Sequence, residues 1–339
     1  MPGGAAVPHP TRRAVLGGCG AAAAAAIASL PAPAVARPPA SLTLLVGADP
    51  GSLADRWARG FAPFLERHWP RTTIAVRNLP GERGFTAARA LTEATPDGRT
   101  LGVISTPALI ARCIEHAEEP LLARLDLVAA VAEEPVVLVA GAAEATGGGG
   151  AEARLSSLRR PAAPGTDGRL LGTPPPGGAA QLVAAMLGTA LPLQRLAFPN
   201  AAAARSAVIA GNLAAALLPL PDAILGLREG RLLGLAIARE RRYPPMAEIP
   251  TFAEAGLPPL RLADHRGLAA PRGVPEERLA ALSAALGAAV ADPEFISRAE
   301  AGGYQPHYLS RASWAPILAT LTDTLRRRWQ QDPWTAREG

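Results

Sequence analysis

The chain has 339 residues, 49% of them hydrophobic, and a formal net charge of +5, of which Arg12 and Arg13 contribute two. All 34 basic residues are arginine. The absence of lysine excludes a Gly-Lys-Ser/Thr phosphate loop, a pyridoxal Schiff base and a lysine aldolase. The small excess of base, densest at Arg326-Arg327-Arg328, reads as a solvated helix face and implies no nucleic-acid partner.

Thr11-Arg12-Arg13-Ala14-Val15-Leu16 has the form of a twin-arginine export signal. An alanine-rich run to Leu30 and an Ala34-Val35-Ala36 cleavage site follow it. Alanine gains little from lipid, so the run makes a poor anchor. Residues 1–36 are therefore expected to be removed after Ala36, leaving a periplasmic chain that starts at Arg37. Beyond Cys19 in this leader, Cys113 is the only thiol and fits a buried apolar position.

Ser41–Val46 is a predicted strand, broken by Gly47-Ala48-Asp49-Pro50-Gly51, and Leu53–Trp69 an amphipathic helix. Ser52 with Asp55 has the form of a capping box. Strand 72–77, turn 78–81, helix 85–94, turn 96–98 and strand 100–104 follow, the last running into Ser105-Thr106. Residues 136–140 read as a buried strand and 141–168 as a polar, glycine- and proline-rich stretch with a short helix. Gly147–Gly150 is a flexible loop rather than a nucleotide fingerprint.

Strand 169–172, loop Thr173-Pro174-Pro175-Pro176-Gly177-Gly178 and helix 179–187 repeat the first layout. Strands are predicted at 195–198, 213–218, 232–238 and 268–270. Asn200 caps a helix over 201–210. Thr251 with Glu254 forms a second capping box, and helices fill most of 276–328. This alternation implies an α/β fold with parallel sheets covered on both faces. A helix entered through such a loop aims free N–H groups and a positive dipole end outward, so two facing starts could hold a carboxylate.

No catalytic motif stands out. His9, His68, His116, His265 and His307 are far apart, and none has metal-ligand spacing with another, so neither metal nor cofactor is expected. No Gly-x-Ser-x-Gly elbow occurs.

Four stretches nevertheless resemble the periplasmic solute receptors of tripartite tricarboxylate transporters, also called Bug proteins. Gly47–Arg59 is similar to that family's Pro-Phe-Pro-Pro-Gly-Gly-Ser-Thr-Asp-Leu-Val-Ala-Arg, and Asn78-Leu79-Pro80-Gly81-Glu82-Arg83-Gly84 to its Asn-Arg-Pro-Gly-Ala-Gly-Gly. Ala94–Leu101 resembles Ala-x-Pro-Asp-Gly-Tyr-Thr-Leu, and Ile249–Gly256 the family's most recognisable octapeptide. Leu268-Ala269-Ala270-Pro271 fits its return strand.

The resemblance implies a two-lobe periplasmic-binding-protein fold, type II-like, with a central cleft. One lobe would comprise 41–139 plus 265–339 and the other 140–264. It implies a non-enzymatic receptor, monomeric, delivering a small organic anion to a membrane permease or a sensor kinase. By position, the ligand would meet Gly51, Ser52, Leu53, Ala54 and Asp55 from the first loop. Thr173, Gly177, Gly178, Ala179 and Gln181 would come from the second, with Thr106 and Arg266 beside them. His265 is expected to stack or hydrogen-bond there, with a surface ion pair at the hinge as the alternative for the Asp264-His265-Arg266 cluster.

Leu53, Ala54 and the three prolines 174–176 replace hydroxyls and N–H donors typical of the family, which favours a mono- or dicarboxylate over citrate. Two other readings stay open. One is a sensor or interaction protein without a transport role; the other is a periplasmic hydrolase using Ser52, Asp55 and His265.

Overall fold

A computed structural model describes residues 3–4, 40–118, 120–145, 150–161, 169–331 and 333–334. The expected export signal and cleavage site, together with Gly147–Gly149, lie outside these residues.

The strands are β1 (Ala40–Val46), β2 (Thr72–Asn78), β3 (Thr100–Thr106), β4 (Leu125–Gly141), β5 (Leu170–Thr173), β6 (Gln194–Ala197), β7 (Ala215–Pro219), β8 (Leu232–Ile237), β9 (Ala263–Pro271) and β10 (Gln305–Ser310). Around them lie α1 (Leu53–His68), α2 (Phe85–Thr92), α3 (Ala108–Glu115), α4 (Gly150–Arg159), α5 (Ala179–Leu187), α6 (Ala201–Ile209), α7 (Leu220–Arg228), α8 (Glu276–Val290), α9 (Pro293–Ala301) and α10 (Arg311–Gln331).

The hydrogen-bonded order β2-β1-β3-β9-β4-β7-β5-β6 is continuous, with β8 and β10 also on β4. The 17-residue β4 creates this continuity. Leu125 to Pro135 pair with β9, and Val136 to Val139 pair with β7. Pro135, with no N–H to donate, stands where the strand leaves one ladder and enters the other. The result is a mixed α/β fold of two lobes, each built on one half of the curled sheet.

The expectation of parallel sheets holds only in part. β1–β2, β1–β3, β5–β6 and β5–β7 are parallel, whereas every pair made by β4 or β9 is antiparallel. Strands that return between lobes run against their neighbours, and no crossover helix constrains them to be parallel. Two strands extend or add to the expected set. β4 begins well before residue 136, and β10 interrupts the predicted helical C-terminal stretch.

Period-two alternation explains burial on both faces. In β1, Leu42, Leu44 and Val46 join the core beneath α1, while Leu45 joins the opposite core with Phe85 and Ile110. In β4, Val136 and Leu138 face one core of the second lobe, and Val137 and Val139 face the other. Gly267 in β9 allows a close approach, since a Cβ there would overlap the buried Trp314 ring and lie 2.7 Å from the Ala129 carbonyl oxygen.

Candidate functional site

Both glycine loops lead directly into helices, as their sequences require, but each helix start already carries an acid of the protein itself. Ser52 caps α1, its Oγ accepting the Asp55 N–H at 3.3 Å. Asp55 turns back: Oδ2 accepts the Gly51 N–H at 2.8 Å, and Oδ1 accepts Arg59 Nε and Asn78 Nδ2, each at 2.9 Å. These donors, led by Arg59, hold the Asp55 carboxyl at about 2. Asn78 also ties the loop down by donating to the Ala48 carbonyl at 2.9 Å. The Ser52 N–H donates to Asp49 O at 3.1 Å. Of the first-loop donors expected to face a ligand, Gly51 and Ser52 are thus engaged internally. Leu53 and Ala54, as first-turn groups, have no acceptor within the helix.

At the second loop, the Ala179 N–H donates to Asp264 Oδ1 at 3.2 Å. Gly178 Cα is close by, since a Cβ there would lie 4.0 Å from both Asp264 oxygens. Asp264 is buried. Burial, reinforced by Glu134, pushes its carboxyl up to about 7 against the pull of Ala179 and Arg266. Ala179 therefore serves an internal acid. Gly177 has φ +93°, and a Cβ on it would lie 2.6 Å from that of Ala111, so only glycine fits there without strain. Thr173 is buried at the end of β5, its carbonyl accepting the Phe198 N–H at 2.9 Å.

Arg266 is not a surface pair. Its side chain is 7% exposed and that of Glu134 5%; Arg266 Nε donates to Glu134 Oε1 at 2.6 Å. Its guanidinium carbon lies 5.2 Å from the Trp57 ring centre and 5.7 Å from that of Tyr304. The charge is matched within the protein, and Arg266 borders a cavity without offering it a free cation.

That cavity, about 250 Å³, is lined by Gly47, Ala54, Ser105, Arg266 and Arg83 among others. A second cavity of about 230 Å³ is lined by Thr173, Pro176, Gln181, Arg195, Arg328 and Trp334 among others. Buried Thr106 Oγ1 and Gln181 Oε1 have no hydrogen-bond partner among the described residues.

Arg83, which sequence reasoning overlooked, links the two cavities. It lines the first, and its Nη1 donates to the carbonyl of Pro176, at the second, at 2.8 Å. Burial lowers the pKa of its guanidinium. Arg83 has φ +56°, a conformation that favours glycine. The signal was an arginine at a glycine position of the Asn-Arg-Pro-Gly-Ala-Gly-Gly pattern.

The hydrolase grouping does not assemble. Ser52 and Asp55 bond to each other and to their own loop, while His265 is grouped with Glu133 and His307. Two of the histidines that looked unrelated in sequence are thus brought together, His265 and His307 having ring centres 6.1 Å apart.

Comparison with known proteins agrees with this architecture. The profile described as "Tripartite tricarboxylate transporter family receptor" matches residues 65–328. A UPF0065 protein of Bordetella bronchiseptica is 27% identical over 297 residues, 86% of each chain. MatC of Rhodopseudomonas palustris, solved with bound malate, is 25% identical with a TM-score of 0.66, covering 87% of this chain and 99% of that one. A TctC solute binding protein from Polaromonas, solved without ligand, is 19% identical with a TM-score of 0.69 over 87% and 99% of the two chains.

The elevated Asp264 value fixes the sign of a pH effect. The folded state holds this proton more tightly than the unfolded chain, whose aspartates titrate near ~3.9. The stability contributed below that pH is lost as pH rises to about 7. Asp222, pushed up to about 6 mainly by burial, acts in the same direction. Asp264→Asn keeps an acceptor for the Ala179 N–H and should flatten the decline in urea-unfolding stability between pH 4 and 7. An unchanged slope would show that Asp264 does not titrate there.

Proposed function

This chain belongs to the tripartite tricarboxylate transporter receptor family, and we propose that it captures a small organic carboxylate and hands it to the permease subunits of such a transporter. The family is a class of solute-binding receptors, not an enzyme class. MatC, the relative solved with malate, supports a carboxylate as ligand.

The observation that carries the site assignment is Arg83. This cation stands in the wall of the first-loop cavity and reaches the second loop through Pro176, while its nearest internal carboxylate, Glu115 at 3.9 Å, is shared with Arg112. The ligand carboxylate would pair with Arg83 and accept from the first-turn N–H groups of Leu53 and Ala54 and from the Gly178 N–H. The unpartnered Thr106 and Gln181, with Ser105 and Thr173, are the polar side chains in reach for the rest of the ligand. Asp55, Asp264 and Arg266 shape this site rather than touch the ligand. The lobes in this reading follow the expected 41–139 plus 265–339 and 140–264, with Val136–Val139 already packing in the second lobe, and they close around the anion as a monomer. Prolines 174–176 remove donors from the second loop, which supports a mono- or dicarboxylate over citrate.

Arg83→Gly separates binding from folding. It removes the cation and also relieves a left-handed backbone, so thermal stability should hold or rise by about 1 kcal/mol. Affinity for malate or succinate should fall about tenfold or more by titration calorimetry, since a charged hydrogen bond is worth roughly 1.5–3 kcal/mol. Wild type should bind these acids more tightly than citrate. Unchanged affinity in Arg83→Gly would remove Arg83 from the site, and a preference for citrate would contradict the reading of the proline loop.

The twin-arginine leader supports export to the periplasm with cleavage after Ala36. Replacing Arg12 and Arg13 by lysine should leave full-length precursor in the cytoplasm, whereas wild type should yield an amino terminus at Arg37. Normal processing of the double variant would exclude this route.

A further inference from the structure

Three neighbouring strands bring together a set of side chains with no role in the carboxylate site. Glu133 lies on β4, His265 directly opposite it on β9, and His307 on β10, which pairs with the other edge of β4. One ligand atom from each lies within 4.8 Å of the others. His307 Nδ1 and Glu133 Oε2 are 3.1 Å apart.

From this cluster we infer a binding site for a divalent transition metal of the zinc class, formed by Glu133, His265 and His307.

The donor set and spacing support the assignment. Two imidazoles and one carboxylate suit zinc and its borderline neighbours. In a tetrahedral shell with metal–ligand bonds of about 2.0–2.1 Å, ligand atoms lie about 3.3 Å apart. The Glu133–His307 separation of 3.1 Å is near this, and the other ligand atoms, within 4.8 Å, would move together on binding metal. Burial lowers the pKa of His265, favouring the neutral imidazole that a metal needs. Burial alone would raise the Glu133 carboxyl, but the His307 hydrogen bond and the neighbouring charges together hold it below the ordinary carboxylate range.

Glu133 and His265 also line a cavity of about 360 Å³, which gives a metal an entry path and leaves a fourth position for water. Arg239, Arg241 and Arg261 line the same cavity, offset in part by Glu240, and Arg239 acts directly on Glu133; these cations keep affinity below that of a site free of them. Bound metal would tie β4, β9 and β10 together just before β4 passes into the second lobe.

Two other pairs serve as controls: His68 with Asp292 and His116 with Glu82, both at 3.3 Å, each with a single histidine. The untagged full chain, stripped by chelator, would be titrated with Zn²⁺ by calorimetry and with Co²⁺ by visible absorption. The expected result is one metal per chain, with d–d bands of four- or five-coordinate Co²⁺. Affinity should fall about tenfold or more in Glu133→Gln, His265→Ala and His307→Ala, the loss being at least that of a disturbed outer-shell partner. His68→Ala and His116→Ala should bind as wild type.

His307 is partly exposed, so its variant is the one least exposed to a folding artefact, and Zn²⁺ should raise the melting temperature of wild type but not of His307→Ala. No binding by wild type, or wild-type binding by both His265→Ala and His307→Ala, would overturn the assignment.

Discussion

The buried ion pair between Glu134 on β4 and Arg266 on β9 is the constraint on which the other features turn. It joins the two strands just before β4 leaves one lobe for the other, and Trp57 and Tyr304 enclose the guanidinium. Desolvating both ions is costly, and removal of one partner from such a pair typically costs about 3–5 kcal/mol because the other is left uncompensated. Glu134 and Asp264 share the field of this arginine, and Asp222 feels it alongside the stronger influence of Arg205. Two buried carboxyls beside one guanidinium, with the half-buried Asp222 next to them, cannot all be charged cheaply. Asp264 and Asp222 therefore hold protons to higher pH, and Asp264 sits against the start of α5.

A common device follows at the two helix starts. α1 has Asp55 folded back on Gly51, and α5 has Asp264 from β9 on Ala179. Each acid satisfies a donor that would otherwise face solvent or ligand, and each fixes the loop that precedes its helix. The site that remains is smaller and less polar than two bare glycine loops would suggest. In the proposed site the positive charge comes from Arg83, held in a backbone conformation that glycine would adopt more easily. Strain kept at such a position is consistent with a functional role for the side chain.

Much of the local structure was legible from residue chemistry. Ser52 and Asn200 cap their helices, and Thr251 and Glu254 bond reciprocally, although they close a turn rather than a helix. The first half of β4 was hidden because Val128–Ala132 is a continuous apolar run without period-two alternation, buried on both sides. β10 was hidden because Gln305–Ser310 is mostly polar and half-buried. Long-range antiparallel pairing leaves no local mark. For that reason the sequence revealed neither the Arg266–Glu134 pair nor the meeting of Glu133, His265 and His307. The loops that enter α1 and α5 were visible; that Asp55 and Asp264 already occupy donors there was not.

In the proposed site, backbone donors at the two helix starts, with Arg83, hold a carboxylate. Backbone amide NMR of labelled protein titrated with malate tests it most directly. The largest shift changes should fall on the Leu53, Ala54 and Gly178 amides and the Arg83 guanidinium, while the Gly51 and Ala179 amides, bonded to Asp55 and Asp264, move little. Saturable changes confined to residues outside both loops would contradict it.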